Sequence, residues 1–301
     1  MSALGYISLR GCSIGALSIA VTMPARAQPT LTDAPASHMH APAPATGAGS
    51  RIARILASTK EASAEFHDRR AAIAAGYRRI GPDVPSMGEH WISPRLVVSD
   101  SFDITRPALL TYIKVGGQPV LTGVVYAVPL TVGQSPPAMF GGEALWHEHN
   151  GTLDEEALLP DHHTAPSAAK GTRLAILHAW LWSPNPEGMF ATDNWTIPFL
   201  RLGLTPPRTF PEGAARALSL LSGAEEYYLN LAGGSAATAV APLLAECAKA
   251  AAQIVDRTRT GDRAVKGPEL EDLNRLWMDA MDAVAKVSGI NIARRINGGR
   301  M

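Results

Sequence analysis

The sequence predicts an α+β fold: an N-terminal helix, a central and mainly antiparallel β-sheet, and a C-terminal helical section. Three observations predict it. Apolar residues recur at three- and four-residue steps over 51–77 and again from 212 onward. Between these stretches lie β-branched and aromatic runs bounded by Gly and Pro, over 109–128 and 173–182. Strands and helices do not alternate, which argues against a parallel sheet with crossover helices.

The elements follow in chain order. Residues 1–27 hold no acid, carry Arg10 before an apolar stretch over 11–21, and end in Ala25-Arg26-Ala27. That is the pattern of a cleaved signal peptide, and it predicts a periplasmic or secreted protein. Cys12 stands at the start of the apolar stretch, after Arg10-Gly11, instead of following it, which argues against lipidation. Residues 28–50, rich in Pro, Ala, Thr and Ser, read as a disordered leader. Its His38-Met39-His40 has soft and imidazole donors, yet reads first as an incidental patch of a polar tail.

Residues 51–77 read as one helix, with Ile52, Ile55, Leu56, Ala62 and Phe66 on its repeat and Gly76 and Gly81-Pro82 as its stop. Residues 82–94 read as a loop that holds Met87-Gly88-Glu89-His90-Trp91. Strands over 109–115 and 120–128 are expected to form a hairpin around Gly116-Gly117-Gln118-Pro119. A short strand over 145–149 follows, and then a mostly loop segment over 150–171 with a short helix over 153–159. Residues 173–182 are apolar on both faces except for His178, as in a central, covered strand. Helices are expected over 212–232, 237–259 and 268–287, separated by Gly233-Gly234 and by Gly261 with Gly267-Pro268. The organisation is then a signal peptide (1–27), a leader (28–50), an α+β core domain (51–204) and a helical section (205–301).

Composition narrows the function classes. The chain has 27 basic and 27 acidic residues. Removing 1–27 takes Arg10 and Arg26 and no acid, leaving a net charge of −2. Without a basic excess, nucleic acid is not an expected partner. The remaining cysteine, Cys247, cannot form an internal disulfide, and its Ala-rich surroundings mark it as a small core residue. No transmembrane segment is expected after the signal, because no later run has eighteen uninterrupted apolar residues. A Gly-x-Ser-x-Gly elbow, a P-loop and a dinucleotide fingerprint are all missing.

The histidines are the chemical signal. The chain has 9, and His90, His147, His149, His162, His163 and His178 flank the strands or lie in them. On a strand, His147 and His149 share one face, with Trp146 and Glu148 on the other. Two imidazoles on one face can chelate an ion with little further ordering, and imidazole suits zinc, copper, iron and nickel. His178 sits among Leu174, Ile176, Trp180 and Trp182, where an imidazole is costly to bury unless both nitrogens find partners. His90 lies in a Gly- and Pro-punctuated stretch able to aim it inward, with Met87 three residues earlier as packing or a soft ligand. Asp161-His162-His163 reads as a solvated loop.

The spacing of Gly141, His147-x-His149 and Asp154 echoes the first cupin motif, but the second motif is missing before His178, so cupins serve as an analogy for ligand geometry alone.

Several separated motifs, in one order, resemble a group of uncharacterised secreted bacterial proteins. They are Ala74-Ala75-Gly76-Tyr77, Met87-Gly88-Glu89-His90-Trp91, Arg106-Pro107-Ala108-Leu109-Leu110-Thr111-Tyr112, the run 121–129, Leu177-His178-Ala179-Trp180-Leu181-Trp182 and Asn185-Pro186-Glu187-Gly188-Met189-Phe190. The resemblance covers roughly residues 60–200. It implies that the histidines at 90 and 178 belong to the pattern and that the tail after 204 is an appendage; it supplies no mechanism.

Three functions are compatible with these residues. The first is one transition-metal ion held by His147, His149 and His178, with His90 as a fourth ligand and Glu143 or Glu148 as a carboxylate ligand or base. The second is a small-molecule pocket without metal, lined by the histidines and by Trp91, Trp146, Trp180 and Trp182. The third is a structural envelope protein that forms a homo-oligomer or docks a protein partner through its C-terminal helices.

Overall fold

In a computed structural model, the described residues are 47–98, 102–131, 133–140, 146–150, 173–258 and 264–289. The expected signal peptide, most of the expected leader, Glu143 and the whole 151–172 segment with His162 and His163 lie outside them.

The first helical stretch is two helices. α1 (Gly47–Ala62) and α2 (Arg69–Ala74) are separated by a 3-10 turn at Ala64–His67. Local side-chain bonds interrupt the helix: Ser63 Oγ donates to the Thr59 carbonyl at 2.5 Å, and Asp68 caps α2 by accepting from the Arg70 N–H at 3.0 Å. The turn buries Phe66, whose carbonyl accepts from the Tyr112 hydroxyl at 2.6 Å.

The expected loop over 82–94 is a hairpin, β1 (Arg78–Val84) with β2 (Gly88–Ile92), followed by the short α3 (Pro94–Val97). β1 tolerates Gly81-Pro82 because it is the edge of the sheet and its pairing slips between Ile80 and Val84. β3 (Leu109–Val115) and β4 (Gln118–Leu130) meet through Gly116-Gly117 alone. Both glycines have positive φ, +56° and +81°, so a two-residue turn replaces the expected four-residue one and Pro119 pairs opposite Lys114.

β5 (His147–Asn150) and β6 (Arg173–Ala179) complete one antiparallel sheet of six strands in the order β1-β2-β3-β4-β6-β5. β6 is paired on both sides, as a covered strand requires, but it ends three residues earlier than its apolar run.

α4 (Ile197–Arg201) then leads to α5 (Glu212–Ser219), α6 (Glu225–Ala232), α7 (Gly234–Thr258) and α8 (Gly267–Ser288). The helix expected over 212–232 is split by a 3-10 turn at Leu220–Ser222. α7 is long and apolar enough to cross a membrane; its Val240, Leu244, Cys247, Ala251 and Val255 are buried in the core.

Strand alternation gives the sheet two coats. Leu110, Tyr112, Leu121, Val124 and Leu177 pack against Phe66, Ala72 and residues of α1. The opposite face carries two apolar groups. Ile92, Leu109, Val125 and Ile176 form one. Ile113 belongs to the other, together with Val84, Met87, Trp180 and the helical residues Phe199, Leu218, Leu244 and Trp277. The core therefore runs without a break across residue 204. A buried ion pair ties α4 to the sheet: Arg201 in α4 grips Asp83 in β1 with both terminal nitrogens, Nη1 donating to Oδ2 at 2.7 Å.

Candidate functional site

Three of the sequence-predicted histidines meet on one face of the sheet. Register explains why. His90 in β2 lies opposite Thr111, Thr111 lies opposite Gly123, Val125 lies opposite His178, and Ile176 lies opposite His147. Partners across a ladder point to the same side, so all three imidazoles share the face of Ile92, Val125 and Ile176.

His90 and His178 stand on strands separated by three inter-strand spacings, about 14 Å in a flat sheet. Their ring centroids are 5.7 Å apart at an interplanar angle of 85°. The sheet must therefore curl towards this face. In register with His90 the two intervening strands carry small residues, Thr111 on β3 and Gly123 on β4. A Cβ on Gly123 would stand 2.7 Å from the Ala179 carbonyl oxygen and 3.2 Å from Thr111 Oγ1. Neither Thr111 nor Gly123 stands out in the sequence, because each matters through the neighbouring strand.

His178 is the middle ring of the three. The His147 ring stacks beside it at 5.6 Å, and Trp180 does so from another side at 5.9 Å. Thr192 Oγ1 lies 3.5 Å from His147 Nδ1, which brings the loop after β6 to the edge of the cluster. Trp180 Nε1 holds that loop by donating to the Ala191 carbonyl at 2.7 Å.

His90 and His178 are each only 4% exposed. Burial pushes the His90 pKa down to about 4, and a hydrogen bond to the Gly88 backbone opposes this only in part. At neutral pH His90 is therefore uncharged, the form in which an imidazole can ligate a metal.

The other expected ligands are placed differently. The backbone of His149 lies opposite Leu174, two positions from His147 on β5. Glu148 lies opposite Ala175, so it stands on the other side of the sheet from His147. Glu143 lies outside the described residues. Among the described residues, no three His, Cys, Asp or Glu side chains are already drawn together as tightly as a bound metal would require.

The tryptophans do not gather around the histidines. Trp91, Trp146 and Trp182 belong to the face that packs on α1 and α2, where Trp146 Nε1 donates to the Pro137 carbonyl and Trp182 meets His67 edge-on at 5.1 Å. Only Trp180 stands next to the imidazoles. Cys247 is buried away from them, and burial pushes its thiol up to about 11. Comparison of the chain with protein-family models, with curated proteins and with solved structures gave no match.

Proposed function

We propose that this chain is an exported protein that binds one transition-metal ion through His90, His178 and His147, with His149 as a further donor from the same strand. The observation that carries the reading is the meeting of three imidazoles, from three strands, on one face of the sheet. Two imidazoles on one tetrahedral ion have ring centroids about 5 Å apart, given metal–nitrogen distances near 2.0–2.1 Å. The separations of 5.7 Å and 5.6 Å are close to that value.

The chemistry of the donors fits as well. His90 is neutral, and its bond to the Gly88 backbone is the kind of outer contact that orients a ligating ring. Imidazole donors suit zinc, copper, iron or nickel. A bound ion with an open position would lower the pKa of a coordinated water, the route by which such a site could become catalytic.

The non-metal pocket is the weaker reading. Three of the four tryptophans it needs lie on the far side of the sheet.

Elemental mass spectrometry tests the proposal. The protein is purified from the periplasm without an affinity tag, beside His147→Ala and His178→Ala variants checked for folding by circular dichroism. About one metal per chain is expected in the wild type and little in either folded variant. A wild-type protein that stays metal-free after soaking with each ion and desalting would overturn the reading.

A further inference from the structure

The opposite face of β2 holds a second constellation. Glu89 comes one residue before His90, so alternation turns it to the face that packs on α1 and α2, where its side chain is 2% exposed. Three cations from three elements converge on it. Lys114 Nζ of β3 lies 3.1 Å from Oε1, Arg79 Nη1 of β1 lies 3.6 Å from Oε1, and Arg69 Nη1 of α2 lies 3.4 Å from Oε2. Trp91 Nε1 donates to Oε2 at 3.2 Å.

A buried carboxylate needs an opposite charge and satisfied hydrogen bonds. One cation and the indole would meet that need here, so three cations leave two positive charges over. The neighbouring acid does not cancel them, because Asp68 is engaged by Arg70, whose Nη2 lies 3.0 Å from its Oδ2.

The cations are also held in place and open to solvent. Their side chains are 31%, 37% and 52% exposed for Arg69, Arg79 and Lys114. The Arg69 guanidinium lies 5.1 Å from the centre of the Trp91 ring, which holds its plane. Through these contacts Glu89 anchors three side chains that would otherwise be free to move.

We propose that Arg69, Arg79 and Lys114 form a binding site for a phosphate dianion. Its two charges match the two left over around Glu89. The guanidinium forks present paired N–H donors to oxygen atoms, and the ammonium adds a point charge. Glu89 is the positioning residue, because side chains ordered in advance lose less entropy on binding. The site is independent of the metal reading, since Glu89 and His90 occupy opposite faces of one strand.

Calorimetric titration of the full metal-stripped protein with inorganic phosphate, at constant ionic strength and about pH 7.5, tests this; phosphate is then largely doubly charged. Acetate is the singly charged control. Arg79→Gln and Lys114→Gln are titrated in parallel, both at side chains exposed enough to leave folding intact. Saturable one-to-one binding of phosphate is expected, with acetate weaker by about tenfold or more. Affinity should fall about tenfold in each glutamine variant. Any of three results overturns the proposal: no saturable phosphate binding, full retention in both glutamine variants, or acetate equal to phosphate.

Discussion

His90 carries the sharpest consequence at the scale of a single residue. An unfolded histidine takes its proton near pH 6.5, whereas burial delays protonation of folded His90 to about 4. Between those values the unfolded chain binds more protons, so stability is full above pH 6.5 and declines as pH falls towards 4. By pH 5 the loss amounts to about 2 kcal/mol from this one group. Denaturant unfolding of metal-stripped protein at about pH 7 and about pH 5 measures it. The wild type should lose more than His90→Gln by about that amount. Equal losses in the two proteins would mean that the ring is not held neutral by burial.

At the scale of elements, β2 depends on its first residue. Gly88 has φ +92°, and a Cβ there would collide with the Tyr112 carbonyl of β3. Gly88→Ala is therefore expected to cost about 2–3 kcal/mol, from left-handed strain and from the clash. Because Gly88 leads into both Glu89 and His90, the metal-binding proposal expects this variant to bind less metal. A thermal-unfolding midpoint unchanged from wild type would show that the hairpin can shift to admit a side chain.

The same hairpin is where local sequence cues mislead most. Gly81-Pro82 reads as loop punctuation, yet at a sheet edge with a slipped register it is tolerated in a strand. The first helix is divided for a related reason, since Ser63 and Asp68 turn their side chains back onto the backbone.

At the scale of the molecule, the helices after residue 204 bury their apolar faces on one another and on the sheet. Val84, Met87, Ile113, Trp180, Ile197 and Phe199 share one core with Leu218, Leu244, Leu273 and Trp277. A chain ending at Leu204 would expose the first six of these to water. It is expected to aggregate or to lose its near-ultraviolet circular dichroism, because exposed apolar area of this kind costs roughly 25 cal/mol per Å². A truncated chain that is monomeric, with fixed aromatic signals, would show that the sheet can stand without its helical coat.

The sequence by itself determined the α+β fold class, the hairpin of β3 and β4, the position of β6 inside the sheet and the core placement of Cys247. These follow from local periodicity and residue chemistry, which act over a few positions and can be read along the chain. Tertiary structure alone decided that 78–92 is a hairpin and that the core crosses residue 204. It also decided which histidines meet. His90 and His178 are 88 residues apart in the chain, and register and sheet curl bring their rings to 5.7 Å over Thr111 and Gly123. The cations around Glu89 come from α2, β1 and β3, and no spacing along the chain connects them. Register and curvature arise from packing between distant segments, and that information is not carried by any local pattern.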